Sequence, residues 1–372
     1  MTNILITGAD GFIGKNLLFS LRGREDVTVT AILKSDTWAA LKNALQHADI
    51  IFHLAGINRP ESQDEFAVGN TELTKQIIQE LECKNKKSKI ILPSSIQANL
   101  DNPYGRSKKA AEDLLYEHHL KTGAQVAIYR LPNVFGKWSR PNYNTVVATF
   151  CYNIARGYEI SISDPNRELV LVYIDDVVAE FLRHLDNETS QNQQRYTVSR
   201  TFRVTLGELA ARIYQLHAIR TNFIVPDLAD DFMKCLYATY LSFLPEKQFG
   251  YPAELKTDAR GWLFEFLKSS NFGQIFVSKT LPGVTRGDHY HNTKSEKFCV
   301  IQGEAVIRLR HILTNTTLEF PVDGDEIKVV DIPPGYSHSI ENTGESEMIC
   351  LFWSSEVFSS EMPDTCWEKV RK

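Results

Sequence analysis

The sequence predicts two folds in tandem: a doubly wound, parallel α/β sheet followed by an all-β barrel or sandwich. Three observations predict it. Apolar strand-like runs alternate with helix-period segments from residue 3 to residue 131, the grammar of a parallel sheet covered on both faces. Gly8, Gly11 and Gly14 fall between the first apolar run and the first helical one, where such sheets turn around phosphate groups. Beyond residue 253 the helical periods give way to short alternating runs punctuated by Gly and Pro. A chain of 372 residues is also too long for one ordinary domain, and the turn-rich stretch Pro245 to Pro252 places the expected domains at 1–245 and 253–372.

Ile4-Leu5-Ile6-Thr7 reads as the first strand and Phe12 to Leu21 as the first helix. Gly8 permits the tight turn, Gly11 lets backbone N–H groups approach a pyrophosphate, and Gly14 lets helix pack closely on strand. The helix N-terminus, with its unpaired N–H groups and positive dipole end, then favours the phosphates. Strand, turn and helix in this order make Gly8, Gly11, Phe12, Ile13 and Gly14 a Rossmann-type dinucleotide site, with a purely structural turn as the alternative. Val27 to Leu33 is the second strand, Trp38 to Gln46 a helix, and Ile50 to Leu54 the third strand, running into His53-Leu54-Ala55-Gly56. Lys89 to Pro93 and Val126 to Leu131 are strands beside the helices Thr71 to Leu81 and Tyr104 to Leu120. An acidic residue after the second strand normally holds the ribose 2′-OH of NAD, and a basic one accommodates the 2′-phosphate of NADP. This chain has Lys34-Ser35 there, with Asp36 only afterwards, which favours NADPH over a solvated surface lysine.

Tyr104 and Lys108 stand four apart, on one face of a helix. The ammonium of Lys108 is expected to lower the phenol pKa of Tyr104, which suits an acid placed at a carbonyl oxygen. Ser95, after the preceding strand, is placed to donate to the same oxygen; Ser94 is the weaker choice. Alone, such a Tyr-Lys pair is common on surface helices. After a glycine turn and strand-end serines it reads as Ser95, Tyr104 and Lys108 in a catalytic set.

Gly8, Gly11, Gly14, His53-Leu54-Ala55-Gly56, Ser95, Tyr104 and Lys108 together resemble the extended short-chain dehydrogenase/reductases that act on nucleotide sugars. The resemblance continues through Arg130 to Gly136, which includes Asn133, and through Arg167 to Val177. It implies cofactor contacts at Leu54, Ala55 and Gly56, and substrate contacts at Asn133 and Arg167, the latter at a position that often meets the nucleotide diphosphate. Arg140-Pro141-Asn142-Tyr143-Asn144 precedes the helical run Thr145 to Ala155. Arg140 and Asn142 there suit uracil and phosphate contacts, and an ordinary loop leading into a helix is an equally good reading. Ser95 and Tyr104 are closer in sequence than in these relatives, so the loop between them is shortened.

The C-terminal part carries Gly283, His289-Tyr-His291, Glu296 and Gly303, then Pro333-Pro-Gly335-Tyr-Ser-His338 and Asn342. Positions i and i+2 of a strand face one side, so His289 and His291 point together. With Glu296 and His338 they make a three-nitrogen, one-oxygen set suited to zinc or another divalent transition metal. These residues resemble the two signature motifs of cupins, although no glycine stands five residues before Pro333. Asp258 to Glu265, with Arg260, and Arg286-Gly287-Asp288-His289 resemble the sugar-nucleotide cupins that epimerise 4-keto-6-deoxyhexoses. In those the histidine at the His289 position acts as a base without metal, so the two likenesses disagree about His289, and ligation is the reading adopted. Lys294 and Lys297, flanking Glu296, read as surface residues first and as substrate or proton contacts second.

In order and in content, the whole chain is similar to the bifunctional CapF-type enzymes of bacterial capsule and O-antigen synthesis. That resemblance implies NADPH, one zinc ion per cupin, a homodimer, and a UDP-4-keto-6-deoxy-N-acetylhexosamine substrate. It further implies epimerisation at C3 followed by reduction at C4, giving UDP-2-acetamido-2,6-dideoxy-β-L-talose. A single-activity reductase with a structural cupin, or an NADPH-sensing regulator, are the alternatives. The net charge of −5 without a long basic run argues against a nucleic-acid partner. Six scattered cysteines without a Cys-x-x-Cys pair suggest free thiols in a reducing compartment. With no signal-like or membrane-length apolar run, the cytoplasm is the expected location.

Overall fold

In the computed structural model, which describes residues 1–57, 66–143, 145–186, 194–361 and 363–371, the chain divides into two units. One is Met1–Ile213 with Cys235–Pro245, the other Tyr214–Lys234 with Glu246–Lys372. The strands of the first are β1 (Thr2–Thr7), β2 (Val27–Ile32), β3 (Ile50–His53), β4 (Lys89–Ser95), β5 (Val126–Leu131), β6 (Asn133–Phe135), β7 (Glu168–Tyr173), β8 (Arg195–Tyr196) and β9 (Phe202–Thr205). Its helices are α1 (Phe12–Ser20), α2 (Trp38–His47), α3 (Leu73–Cys83), α4 (Pro103–Thr122), α5 (Val146–Ile154) and α6 (Ile174–Leu182). Two further helices, α7 (Leu206–Asn222) and α8 (Asp231–Leu241), each contribute residues to both units.

The main sheet is wholly parallel, in the order β2-β1-β3-β4-β5-β8. Side chains alternate between its two faces, and each face has its own core. Ile4, Ile6, Phe52, Ile91 and Tyr129 join Leu17 of α1 and Val177 and Phe181 of α6. Leu5, Ile51, Ile90, Leu92 and Ile128 join Leu41 and Leu45 of α2, Ile77 and Leu81 of α3, and Ala111 and Leu115 of α4. That double burial is why the strands read as continuous apolar runs. Strand order reverses between β1 and β3, so the carboxyl ends of those strands open a crevice for a ligand. A smaller sheet, β6-β7-β9, stands apart from this one.

The local signals are physical. Thr37 Oγ1 caps α2 by accepting from the Ala40 N–H at 3.3 Å. In α4, Asn102 Oδ1 accepts from Gly105 N–H at 2.7 Å, Pro103 begins the helix, and Gly123 closes it in a left-handed conformation at φ +72°. Helix α1 is different: its N-cap is Gly11 and no side chain caps it, so its first N–H groups are left for something else.

The second unit contains β10 (Lys256–Asp258), β11 (Gly261–Ser269), β12 (Gly273–Thr280), β13 (Thr285–Tyr290), β14 (Glu296–Gln302), β15 (Glu304–His311), β16 (Thr317–Asp323), β17 (Val329–Ile332), β18 (Tyr336–Asn342), β19 (Met348–Ser354) and β20 (Cys366–Trp367). They form two antiparallel sheets, β10-β11-β12-β19-β14-β17 and β16-β15-β18-β13-β20. Phe298, Val300, Met348 and Phe352 from one sheet and Ala305, Ile307, Leu309 and Ile340 from the other share one apolar core. Residues 214–234, expected with the first domain, fall in the second unit. Within that unit the Lys268 N–H of β11 donates to Phe223 O and its carbonyl accepts from Val225 N–H, both at 2.8 Å. All six cysteines are free thiols. Among the described residues no helix is long and apolar enough to cross a membrane.

Candidate active site and metal centre

A cavity of about 1320 Å³ lies at the carboxyl ends of β1, β2, β3 and β4. Its lining includes Gly8, Gly11, Phe12, Ile13 and Gly14, the strand ends at Lys34 and at Leu54, Ala55 and Gly56, and the set Ser95, Tyr104 and Lys108, with Asn133 and Arg140. The glycine turn is shaped for close approach. Gly8 has φ +66°, and a Cβ there would lie 2.7 Å from the backbone of Ala55. A Cβ on Gly14 would lie 2.4 Å from Gly8 O and 2.7 Å from Ala9 Cα. Side-chain-free backbone and the uncapped start of α1 therefore fit the pyrophosphate of a dinucleotide.

Among the reactive groups, Ser94 and Ser95 part company. Ser94 Oγ donates to Glu112 at 2.5 Å, and Arg130 grips the same buried carboxylate with Nε and Nη2. Ser95 stands beside the Tyr104 hydroxyl. The Lys108 ammonium is buried, donates to Pro93 O at 3.4 Å and lies 6.0 Å from the Tyr104 ring centroid. Burial pushes its pKa down to about 8, against the pull of Glu112. The expectation that Lys108 lowers the Tyr104 phenol is corrected here: burial raises that phenol, and the Ser95 hydroxyl is the group that opposes. Taking the ring out of water disfavours phenolate more than a distant ammonium restores it, so Tyr104 holds its proton at neutral pH and is a donor.

Other expected contacts are placed less centrally. Asp36 returns to the end of β2, where its carboxylate accepts from Leu33 N–H at 2.8 Å, so acid and base share that wall with Lys34. Asn142, at φ +56°, donates its N–H to Thr149 Oγ1, and it does not line the cavity. Arg167 is exposed before β7 and is likewise absent from the lining. Asn144 lies outside the described residues.

In the second unit, one ligand atom from each of His289, His291, Glu296 and His338 falls within 4.8 Å of all the others. The bulge between Gly287 and His289 sets His289 opposite His338 on β18. Glu296 Oε2 lies 3.4 Å from His291 Nε2 and 3.2 Å from His338 Nε2. Burial pushes the carboxyl up, but the imidazoles of His291 and His338 beside it prevail and hold it at about 2. His291 Nδ1 bonds to the Asp364 carbonyl and His338 Nδ1 to Tyr336 O, orienting both Nε2 atoms toward the cluster. His289 Nδ1, His291 Nε2 and His338 Nε2 are buried with no partner of hydrogen-bonding geometry. Orphaned nitrogens converging on one carboxylate fit a divalent cation.

Arg260 is exposed and held by Asp258, while Arg286 is half-buried and donates to Thr280 Oγ1 and Lys279 O. Lys297 is on the surface, beside Asp331. Lys294, expected there too, is only 5% exposed, and its backbone N–H, like those of Asn292 and Thr293, donates to the Asp364 carboxylate. Asn342 is a turn brace, donating to Thr280 O and Ser346 O.

Three supports escape sequence reasoning. Buried His53 bonds to Thr7 and Thr74 through its two ring nitrogens, fixing the end of β3. Asn70 bonds to both backbone groups of Ile57 and donates to Ser107, fixing the loop beside Lys108. Asp364 orients His291 from 73 residues away. Each is an ordinary polar residue whose partners are distant in sequence, and only the His53-Leu54-Ala55-Gly56 run marked one of them.

Residues 4–199 match the NAD dependent epimerase/dehydratase family, and residues 256–366 the polysaccharide biosynthesis C-terminal domain. The chain is 42% identical, over 97% of both sequences, to the UDP-2-acetamido-2,6-beta-L-arabino-hexul-4-ose reductase of Pseudomonas aeruginosa. The crystal structure of the capsular polysaccharide assembling protein CapF from Staphylococcus aureus superposes with a TM-score of 0.92 at 45% identity, covering 99% of this chain and 100% of that one. The UDP-glucose 4-epimerase of Thermotoga maritima, at 20% identity and a TM-score of 0.54 over 65% of this chain, shares the fold alone. Near full-length likeness to the first two, in both units, means that this chain belongs to the NAD dependent epimerase/dehydratase family, as a CapF-type capsular polysaccharide enzyme.

Proposed function

We propose that the chain is a bifunctional sugar-nucleotide enzyme that epimerises C3 of a UDP-2-acetamido-2,6-dideoxy-4-hexulose and then reduces the C4 ketone with NADPH. The product is UDP-2-acetamido-2,6-dideoxy-β-L-talose, on the route to UDP-N-acetyl-L-fucosamine for capsule or O-antigen. The observation that carries this reading is the presence in one chain of two chemically distinct centres, Ser95–Tyr104–Lys108 and the His289–His291–Glu296–His338 cluster. The name of the Pseudomonas aeruginosa relative, a reductase of a UDP-4-keto sugar, supports the substrate class.

In the first centre the reduced nicotinamide supplies the hydride. Gly8, Gly11 and Gly14 bring backbone N–H groups to the phosphates, Lys34 meets the 2′-phosphate, and Leu54, Ala55 and Gly56 close the far side. Tyr104 holds a proton for the C4 oxygen and Ser95 donates to the same atom. Lys108, still charged below a pKa of about 8, stabilises the phenolate left after that transfer. Asn133 and Arg140, on the cavity wall, are assigned to the sugar nucleotide; for Asn142 and Arg167, which stand outside that wall, the role rests on the family resemblance alone.

The second centre is read as a cupin barrel, with His289, His291, Glu296 and His338 holding one zinc ion and Arg260 and Arg286 meeting the substrate's anionic groups. A divalent cation bound there supplies positive charge where a C3-deprotonated ketone develops negative charge. Epimerisation comes first, because reducing C4 abolishes the ketone that makes the C3 proton acidic. The chain is assigned to the cytoplasm as a homodimer.

Incubating the whole protein with the UDP-4-keto-6-deoxy amino sugar and NADPH in D₂O, read by NMR, tests the proposal. Deuterium at C3 and a hydroxyl at C4 are expected. Reduction without deuterium at C3 would leave the single-activity reductase with a structural β domain.

A further inference from the structure

The last described stretch of the chain, residues 363–371, runs beside the histidine cluster of the second unit with little apolar hold of its own. Val370 is its one buried residue. Its other ties are polar or backbone, and they fall next to each of the three histidines. Strand β20 lies antiparallel to β13, with Trp367 opposite His289 and Cys366 opposite Tyr290. The Trp367 and His289 rings meet edge to face, 5.4 Å apart.

Asp288, the bulged residue that brings His289 opposite His338, has φ +61°, a conformation that residues other than glycine avoid. Its carbonyl accepts from Glu368 N–H and its carboxylate from Val370 N–H, both at 3.0 Å. Asp364 serves His291 twice. Its carbonyl accepts from His291 Nδ1, which fixes the proton there and leaves the Nε2 lone pair for a cation. Its carboxylate accepts from the N–H groups of Asn292, Thr293 and Lys294 at 2.9, 2.9 and 3.0 Å, and from the Thr293 hydroxyl at 3.1 Å. Those bonds close the turn that leads from His291 to Glu296. Beside His338, Ser337 Oγ donates to Glu368 O. Buried Arg310 then grips the Glu368 carboxylate at 2.6 Å and the Lys369 carbonyl at 2.9 Å.

Held this way, three buried imidazole nitrogens converge on one carboxylate with no partner of hydrogen-bonding geometry, an unfavourable arrangement that a divalent cation relieves. A segment fastened by polar ties beside that cluster gains order from the same cation. Whatever the segment adds to cation affinity, the cation adds to the segment, because linkage is reciprocal. We propose that residues 363–371 are a clasp on the metal centre, with Asp364 as its positioning residue, so that cation retention and the order of this segment depend on each other. The proposal rests on the reading of His289, His291, Glu296 and His338 as a cation site.

Two measurements on the full chain test it, with zinc as the probe. In the first, zinc-loaded protein is titrated with a chelator. Asp364→Ala, which removes the carboxylate from the 292–294 turn, should weaken zinc binding by about 10- to 100-fold, the usual effect of losing a group that orients a metal ligand. Asp364→Asn keeps one acceptor oxygen there and should show a smaller loss. In the second, amide hydrogen exchange of the unmodified chain is followed with zinc and after its removal. Residues 288–294 and 363–371 should exchange faster without zinc, while residues 4–21 of the first unit exchange alike in both. This measurement decides the matter if Asp364→Ala fails to fold. Zinc affinity unchanged in folded Asp364→Ala protein, or exchange in 363–371 indifferent to bound zinc, would overturn the clasp and leave the metal reading standing. An unmodified chain that binds no zinc would overturn the metal reading, and the clasp with it.

Discussion

Replacing Tyr104 with Phe should separate the two proposed chemistries. The phenol is half-buried, its ring lies 5.6 Å from that of Phe66, and its hydroxyl stands beside Ser95. Phe preserves the ring packing and removes one hydrogen bond at a partly buried site, a cost of about 0.5–1.5 kcal/mol to stability, so the variant should fold. Reduction is affected far more. On the proposed reading the protonated phenol of Tyr104 is the donor to the C4 oxygen, and losing a positioned general acid should slow reduction by about 10²–10⁴. The remaining activity should lose the pH dependence conferred by Lys108, whose ammonium gives up its proton near pH 8 and can no longer stabilise phenolate above it. The proposed C3 step uses none of these groups. In D₂O the variant should therefore place deuterium at C3 and accumulate a 4-keto epimer, while the absorbance of reduced nicotinamide stays constant. A folded variant that neither exchanges C3 nor consumes NADPH would refute the division of labour, and one that reduces at the unmodified rate would refute the role of Tyr104.

Three more outcomes follow from the same geometry. Lys34→Ala should weaken NADPH about tenfold or more, the contribution of one charged hydrogen bond to phosphate, and leave NADH little changed; equal use of the two cofactors by the unmodified enzyme would contradict it. Gly14→Ala should abolish dinucleotide binding in a calorimetric titration, because its Cβ would meet backbone at 2.4 Å and 2.7 Å, atoms that cannot swing aside. The accompanying loss of stability should be about 1–3 kcal/mol. Metal analysis of the purified protein should find close to one zinc per chain, and His338→Ala should lose it. A metal-free protein with full C3 exchange would favour His289 as a metal-independent base instead.

Much was determined by sequence alone, wherever the information is local or periodic. The order strand, glycine turn, helix at residues 4–21 needs only propensity and the conformational freedom of Gly8, so β1 and α1 are legible one residue at a time. The Tyr104–Lys108 pair is legible because four residues make one helical turn; strand alternation suggested His289 with His291, although β13 ends at Tyr290 and leaves His291 just beyond it. Tertiary structure alone decided what depends on surroundings. Tyr104 is a buried phenol rather than an acidified one, since its pKa is set by the solvent it has lost and not by the lysine four residues on. Lys294 is buried, in a turn whose backbone N–H groups are held by an aspartate 70 residues away, and no local pattern announces either. Residues 214–234 group with the second unit, where Phe223 and Val225 share backbone hydrogen bonds with Lys268, and backbone pairing carries no side-chain signature. The order of strands placed β20, from the end of the chain, beside β13 and its His289, because neighbours in a sheet are chosen by the fold as a whole.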